Sequence, residues 1–147
     1  MKTLGLEWNN SDNFAENIDK EVLKKTCSLI CEDFNNKPGR IIFNIVSDDD
    51  LWKMNVKFLN HENLTDVITF PYNKGEFING EVFISYDRAA DNAKIYKTNT
   101  EKEIIRYAFH GVLHLNGLDD ETQEQKQIIH EFEEKYMKKY YEFQEKR

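Results

Sequence analysis

The chain has 147 residues, 39% hydrophobic and 32% charged, with 20 Lys and Arg against 27 Asp and Glu and a net charge of −7. This composition reads as one soluble globular domain, long enough to bury about two-thirds of the surface its unfolded chain exposes. It argues against a generic nucleic-acid binder, which relies on basic residues to neutralise phosphates. No apolar run approaches the roughly 20 residues that span a bilayer.

In chain order, Leu4, Leu6 and Trp8 alternate as a strand with one buried face does. The opening Met1-Lys2-Thr3-Leu4-Gly5 lacks the apolar segment of a secretion signal. Ser11 to Asn17 is polar and predicts a loop. From Asp19, a predicted N-cap, Leu23, Cys27, Ile30 and Phe34 recur at helical spacing. Cys27 and Cys31 lie on that helix as two reduced packing thiols rather than a disulfide or metal pair, which with the missing signal makes the cytoplasm the expected address. Asn35-Asn36-Lys37-Pro38-Gly39 breaks the helix, and Arg40 to Val46 predicts a buried strand. Ser47 or Asp48 caps the next helix, with Leu51, Trp52, Asn55, Phe58 and Leu59 on its inner face. Asn60 to Leu64 is turn-like. Thr65 to Pro71 and Gly80 to Ser85 predict two further strands, and a helix begins near Asp87.

Thr100-Glu101-Lys102-Glu103 has the form of a capping box. It opens a helix on which Ile104, Ile105, Ala108, Val112 and Leu115 make a broad apolar surface. From Glu121 a long final helix carries Ile129, Phe132, Tyr136, Tyr140 and Phe143 at 3–4 spacing, a core stripe rather than a base-stacking platform, with His130 at its surface. The order β-α-β-α-β-β-α-α-α lacks strict βαβ alternation. It predicts one α+β domain over residues 1–147, a small mixed sheet packed against helices.

The chemistry concentrates in His110-Gly111-Val112-Leu113-His114-Leu115-Asn116-Gly117-Leu118-Asp119-Asp120. Histidines four apart share one helix face, about 6 Å from one another, so both can reach one cation at about 2.0–2.1 Å. Gly117 stands where a helix commonly stops in a left-handed conformation. A turn there returns Asp120 toward the same face. His110, His114 and Asp120 then form a three-ligand set with a fourth position open for water, the arrangement of a catalytic zinc site. Asp119 and Glu121 are most simply solvated charges. The spacing also matches metzincin peptidases, but those carry Glu directly after the first His as general base, where this chain has Gly111.

The run resembles the signature of the YbeY family of single-strand-specific metallo-endoribonucleases, His-Gly-x-Leu-His-x-x-Gly-Tyr-Asp-His. His110, Gly111, Leu113, His114, Gly117 and Asp119 match, while Leu118 replaces the Tyr and Asp120 stands where a third His is usual. Thr65-Asp66-Val67-Ile68-Thr69-Phe70-Pro71 and Gly80-Glu81-Val82-Phe83-Ile84-Ser85 resemble two more blocks of the family, and Arg88 and Ala89 fit its pattern. The resemblance implies a central metal-bearing helix in the same α+β architecture and one Zn²⁺ per chain. It also implies cleavage of single-stranded ribosomal RNA in 16S rRNA 3′-end maturation and ribosome quality control. Leu59 occupies the position of an Arg proposed to act on the RNA phosphate in many members, which leaves His61 and Arg88 as candidate substrate contacts. Asp120 makes the ligand set harder and more tolerant of Mn²⁺. The acidic net charge implies that RNA docking depends on the ribosome or its small-subunit proteins, unless Lys53, Lys57, Arg88, Lys94, Lys97 and Arg106 converge into a local patch. Two other readings of the same residues are a non-catalytic, metal-stabilised assembly factor and a zincin-like peptidase.

Overall fold

The computed structural model describes residues 4–10, 17–59 and 66–146. The predicted loop at 11–16, the turn at 60–64 with His61, and Thr65 lie outside them, as do the side chains of Phe58 and Leu59. The elements follow the expected order: β1 (Gly5–Asn9), α1 (Lys20–Asp33), β2 (Lys37–Val46), α2 (Asp48–Leu59), β3 (Val67–Pro71), β4 (Phe77–Ser85), α3 (Tyr86–Tyr96), α4 (Thr100–Leu115) and α5 (Gln123–Glu145).

The strands form one mixed sheet in the order β1-β2-β4-β3. β1 and β4 run parallel to β2, and β3 closes the edge antiparallel to β4. Side chains of period two put Ile41, Phe43 and Ile45 of β2 and Ile78, Val82 and Ile84 of β4 on one buried face. The opposite face is mixed: Glu7 is bonded to Arg40 and Asn44 to Glu81, while Ile68 is buried there, the Phe70 and Phe83 rings meet edge to face, and α2 packs against β3 and β4. Helices cover the apolar face: α1 lies against β1 and β2, α4 against β3 and β4, and α5 crosses both helices on their outer side.

α4 is the central element. Ile104, Ala108, Phe109, Val112 and Leu113 are wholly buried in the core it shares with the sheet and with Tyr136 and Tyr140 of α5. At about 1.5–3 kcal/mol for each large apolar side chain removed from water, these contacts dominate the placement of α4. The α5 stripe is therefore core, as its spacing predicts.

Four boundaries or faces depart from expectation. Asn99, not Thr100, caps α4, its side chain accepting from the Lys102 amide at 2.8 Å. Asn is the stronger cap, and it leaves Glu103 one residue too far along to complete a capping box. Glu103 instead accepts from Thr98 Oγ1 at 2.8 Å. A capping box forms instead at α5, where Thr122 and Gln125 cap reciprocally and start the helix two residues after Glu121. Trp52 is 40% exposed rather than inward, because the buried line of α2 runs through Leu51 and Asn55, four residues apart. The breaker cluster ends α1 but not the sheet: Lys37 and Pro38 already pair with Phe77 and Ile78, and the register then slips before Ile41.

Candidate metal centre

α4 presents His110 and His114 on the edge of its buried face, with side chains 18% and 21% exposed. α4 ends in a Schellman motif. Gly117 has φ +101°, its amide donates to the His114 carbonyl at 2.9 Å, and the Leu118 amide reaches back to the Leu113 carbonyl at 3.1 Å. A residue with a Cβ is strained at that φ, so glycine is required for the turn. The turn does two things. It aims the Leu118 carbonyl at His114 Nδ1, 2.7 Å away, and it returns Asp120 across the two rings.

The Nε2 atoms of His110 and His114 lie 2.9 Å apart, and Asp120 Oδ2 is 3.2 Å from the first and 3.4 Å from the second. One ligand atom from each residue therefore lies within 4.8 Å of the other two. The partners of the outer ring nitrogens decide what these atoms offer. A carbonyl only accepts, so His114 Nδ1 carries the proton it donates to Leu118. His110 Nδ1 lies 2.6 Å from Glu133 Oε2 on α5 and donates to that carboxylate. When both rings are neutral, this leaves the two Nε2 lone pairs converging with a carboxylate oxygen on one point; while His110 is charged, its Nε2–H donates to Asp120 instead. Three such donors repel unless a cation lies among them, and their chemistry fits a divalent metal. Asp120 is 40% exposed, so the set is open to solvent on its side.

Protons compete for the same point. Burial alone would depress the His110 pKa, but hydrogen bonds to Asp120 and Glu133 outweigh it and raise it to about 9. The hydrogen bond from His110 chiefly holds Asp120 down to about 2.

Glu133 is absent from the sequence-derived candidates. Its signal was positional: it lies four residues after Ile129 and three before Tyr136, so a carboxylate interrupts the buried stripe of α5. The other candidates are placed less directly. Arg88 Nε is 3.4 Å from Asp48 Oδ1, so the cation is engaged by α2. Asp66 precedes β3; burial raises its pKa, with Arg88 and His110 close enough to oppose the rise. This brings Asp66 near the candidate metal centre. Arg106 does not join a free basic patch, since it is bonded to Glu134 and lies 3.6 Å from Glu103. Lys53 is paired with Asp49. Asp119 and Glu121 are exposed, and the exposed His130 lies 3.8 Å from Glu133.

A four-stranded mixed sheet carrying a His-x3-His helix that turns on glycine to a carboxylate defines an α+β domain with a group of side chains that could hold a metal ion. The family model described as Endoribonuclease YbeY matches residues 7–141. An Endoribonuclease YbeY of Parabacteroides distasonis is 34% identical over 125 residues, covering 82% of this chain and 88% of the relative. One from Amoebophilus asiaticus is 43% identical over 121 residues, covering 82% and 76%. The chain belongs to the YbeY endoribonuclease family. The fold agrees with the solution structure of TM1509 from Thermotoga maritima, with a TM-score of 0.63 at 21% identity over 97% of this chain and 92% of that one.

Proposed function

We propose that residues 1–147 act as one metal-dependent endoribonuclease domain that cuts phosphodiester bonds in single-stranded ribosomal RNA. The proposed metal is one Zn²⁺ per chain, held by His110, His114 and Asp120. The observation that carries this reading is the meeting of the His110 and His114 Nε2 atoms, 2.9 Å apart, with the Asp120 carboxylate. When bound, such an ion supplies a Lewis acid for a phosphoryl oxygen and lowers the pKa of a water toward about 7.

The residues of the chain do the rest. The Leu118 carbonyl keeps a proton on Nδ1 of His114, leaving that Nε2 free for the metal. The exposed side of Asp120 admits substrate. Gly111 offers no side-chain base, which separates this centre from that of a zincin peptidase. Arg88 and His61 are proposed as substrate contacts, Arg88 reaching phosphate by exchanging its Asp48 partner. The proposed setting is cytoplasmic, in 16S rRNA 3′-end maturation and ribosome quality control, with the ribosome or small-subunit proteins as partners. No helix among the described residues is long and apolar enough to cross a membrane.

The test pairs elemental analysis with cleavage of matched single-stranded and duplex RNA by wild type and Asp120→Ala. About one zinc per wild-type chain, with cutting confined to single strands, abolished by chelator and much reduced in the variant, is the expected result. A wild-type protein that neither carries nor takes up metal would sink this reading. One observation favours a second reading, a metal-stabilised assembly factor that binds pre-ribosomal particles without cutting: Leu59 stands where a phosphate-directed Arg is usual, and Arg88 is tied to Asp48. Ribosome co-sedimentation that survives His114→Ala, with no cleavage by either form, would establish it instead.

A further inference from the structure

We infer that Glu133 is a positioning residue of the metal centre: its buried carboxylate on α5 holds His110 in the Nδ1–H tautomer and keeps the Nε2 lone pair aimed at the point shared with His114 and Asp120. The inference rests on the metal reading proposed above and assigns α5 a part in it.

A neutral imidazole has one proton, and the nitrogen that bears it is set by the partner of the other nitrogen. For His114 that partner is the Leu118 carbonyl, delivered by the Gly117 turn and legible in the motif. For His110 it comes from a residue 23 positions away on another helix. Glu133 Oε2 lies 2.6 Å from His110 Nδ1, and its side chain is only 9% exposed. A hydrogen bond to a carboxylate is shorter and stronger than one to a neutral acceptor, and it raises the basicity of the imidazole toward a metal.

A purely structural role fits the site poorly. A carboxylate on the buried face of an otherwise apolar stripe, between Ile129 and Tyr136, adds desolvation cost where a Leu would pack. A separate ion pair between α5 and α4 is already made by its neighbour Glu134 with Arg106, a guanidinium that also lies close enough to feel the Glu133 charge. The other near group, His130 Nδ1, is 3.8 Å away on the exposed side. Among the described residues, the hydrogen bond of this carboxylate is to a proposed metal ligand.

The experiment compares wild type with Glu133→Ala, Glu133→Gln and Glu134→Gln. Zn²⁺ affinity is measured by chelator competition, folding by circular dichroism, and the His110 ring by ¹H–¹⁵N spectra of the zinc-loaded proteins. The Ala variant should bind zinc about 10–100-fold more weakly and lose the slowly exchanging Nδ1–H signal of His110. The nearly isosteric Gln variant, which keeps an acceptor but no charge, should lose less affinity and retain the signal. Glu134→Gln should bind as wild type does. Zinc affinity within twofold of wild type in folded Glu133→Ala, or equal losses in Glu133→Ala and Glu134→Gln, would overturn the inference while leaving the metal centre standing. Failure of wild type itself to bind zinc would remove the metal reading and this inference together.

Discussion

Asp120 supplies a carboxylate as the third member of the set, and its effect can be argued from ligand chemistry. A carboxylate oxygen in place of an imidazole adds negative charge and hardness to the set, which favours oxygen-seeking ions relative to zinc. Asp120→His should therefore raise the ratio of Zn²⁺ to Mn²⁺ affinity by about tenfold, ~1.4 kcal/mol. Parallel titrations of the two ions into wild type and variant measure it, and an unchanged ratio would mean that position 120 does not contribute a ligand. His110 gives a second prediction. Its pKa is raised from 6.5 to about 9 in the metal-free fold, so the folded state keeps a proton that the unfolded chain releases. That stabilisation is complete below pH 6.5 and lost as pH rises through 9. Metal needs the neutral ring, so metal binding strengthens over the same window. Thermal melts from pH 6 to 9.5 should show the metal-free protein losing stability while the increment from saturating-range zinc grows. A pH-independent increment would contradict the assignment. At this scale the two histidines and Asp120 were legible because one helix and its capping turn bring them together. Glu133 was not, because its pairing with His110 depends on how α5 crosses α4, and helical spacing along one element carries no information about crossing.

Element order follows from hydrophobic periodicity, since each segment buries one face and the period names its type. Caps were less legible. Asn99 and Thr100 both qualify as N-caps, and only the backbone decides which stands outside the first turn. Gly111 of the motif carries a packing constraint that spacing alone does not reveal. A Cβ on Gly111 would lie 2.6 Å from Val82 Cγ1 and 3.3 Å from Thr69 Cγ2, so α4 sits on β4 and β3 at a distance that only glycine permits. Val82 is wholly buried and β-branched, and it has little freedom to yield. Gly111→Ala should cost about 1–3 kcal/mol of stability. Because α4 must lift from the sheet beside His110, it should also weaken metal binding. Chemical denaturation and chelator competition on the same preparation test both. A variant as stable as wild type would mean that the α4–sheet gap can widen freely, and the close-packing account of Gly111 would fall.

Over the whole molecule, the net charge of −7 and the cleavage of an anionic polymer pull in opposite directions. Among the described residues, several cations are held by carboxylates, while Lys94 and Lys97 are exposed. Arg40 is held by Glu7, Arg88 lies against Asp48, Arg106 is bonded to Glu134, and Lys53 is paired with Asp49. A protein that neutralises Z phosphates of a single strand shows a slope of about −0.7Z in log K against log salt. With these cations internally paired, Z should be small. The isolated protein should bind unstructured RNA weakly, with a slope shallower than about −2. Binding to small ribosomal subunits should be much tighter at the same salt, because protein surfaces there can complement the acidic exterior in ways that phosphates cannot. Filter binding of a single-stranded oligonucleotide across a salt series, beside co-sedimentation with purified small subunits, separates the two terms. A steep slope on free RNA would mean that the ion pairs open to phosphate and that the chain docks on RNA unaided. A shallow slope with no gain on subunits would instead leave the local metal centre as the main source of substrate affinity, and would count against the ribosome as the docking partner.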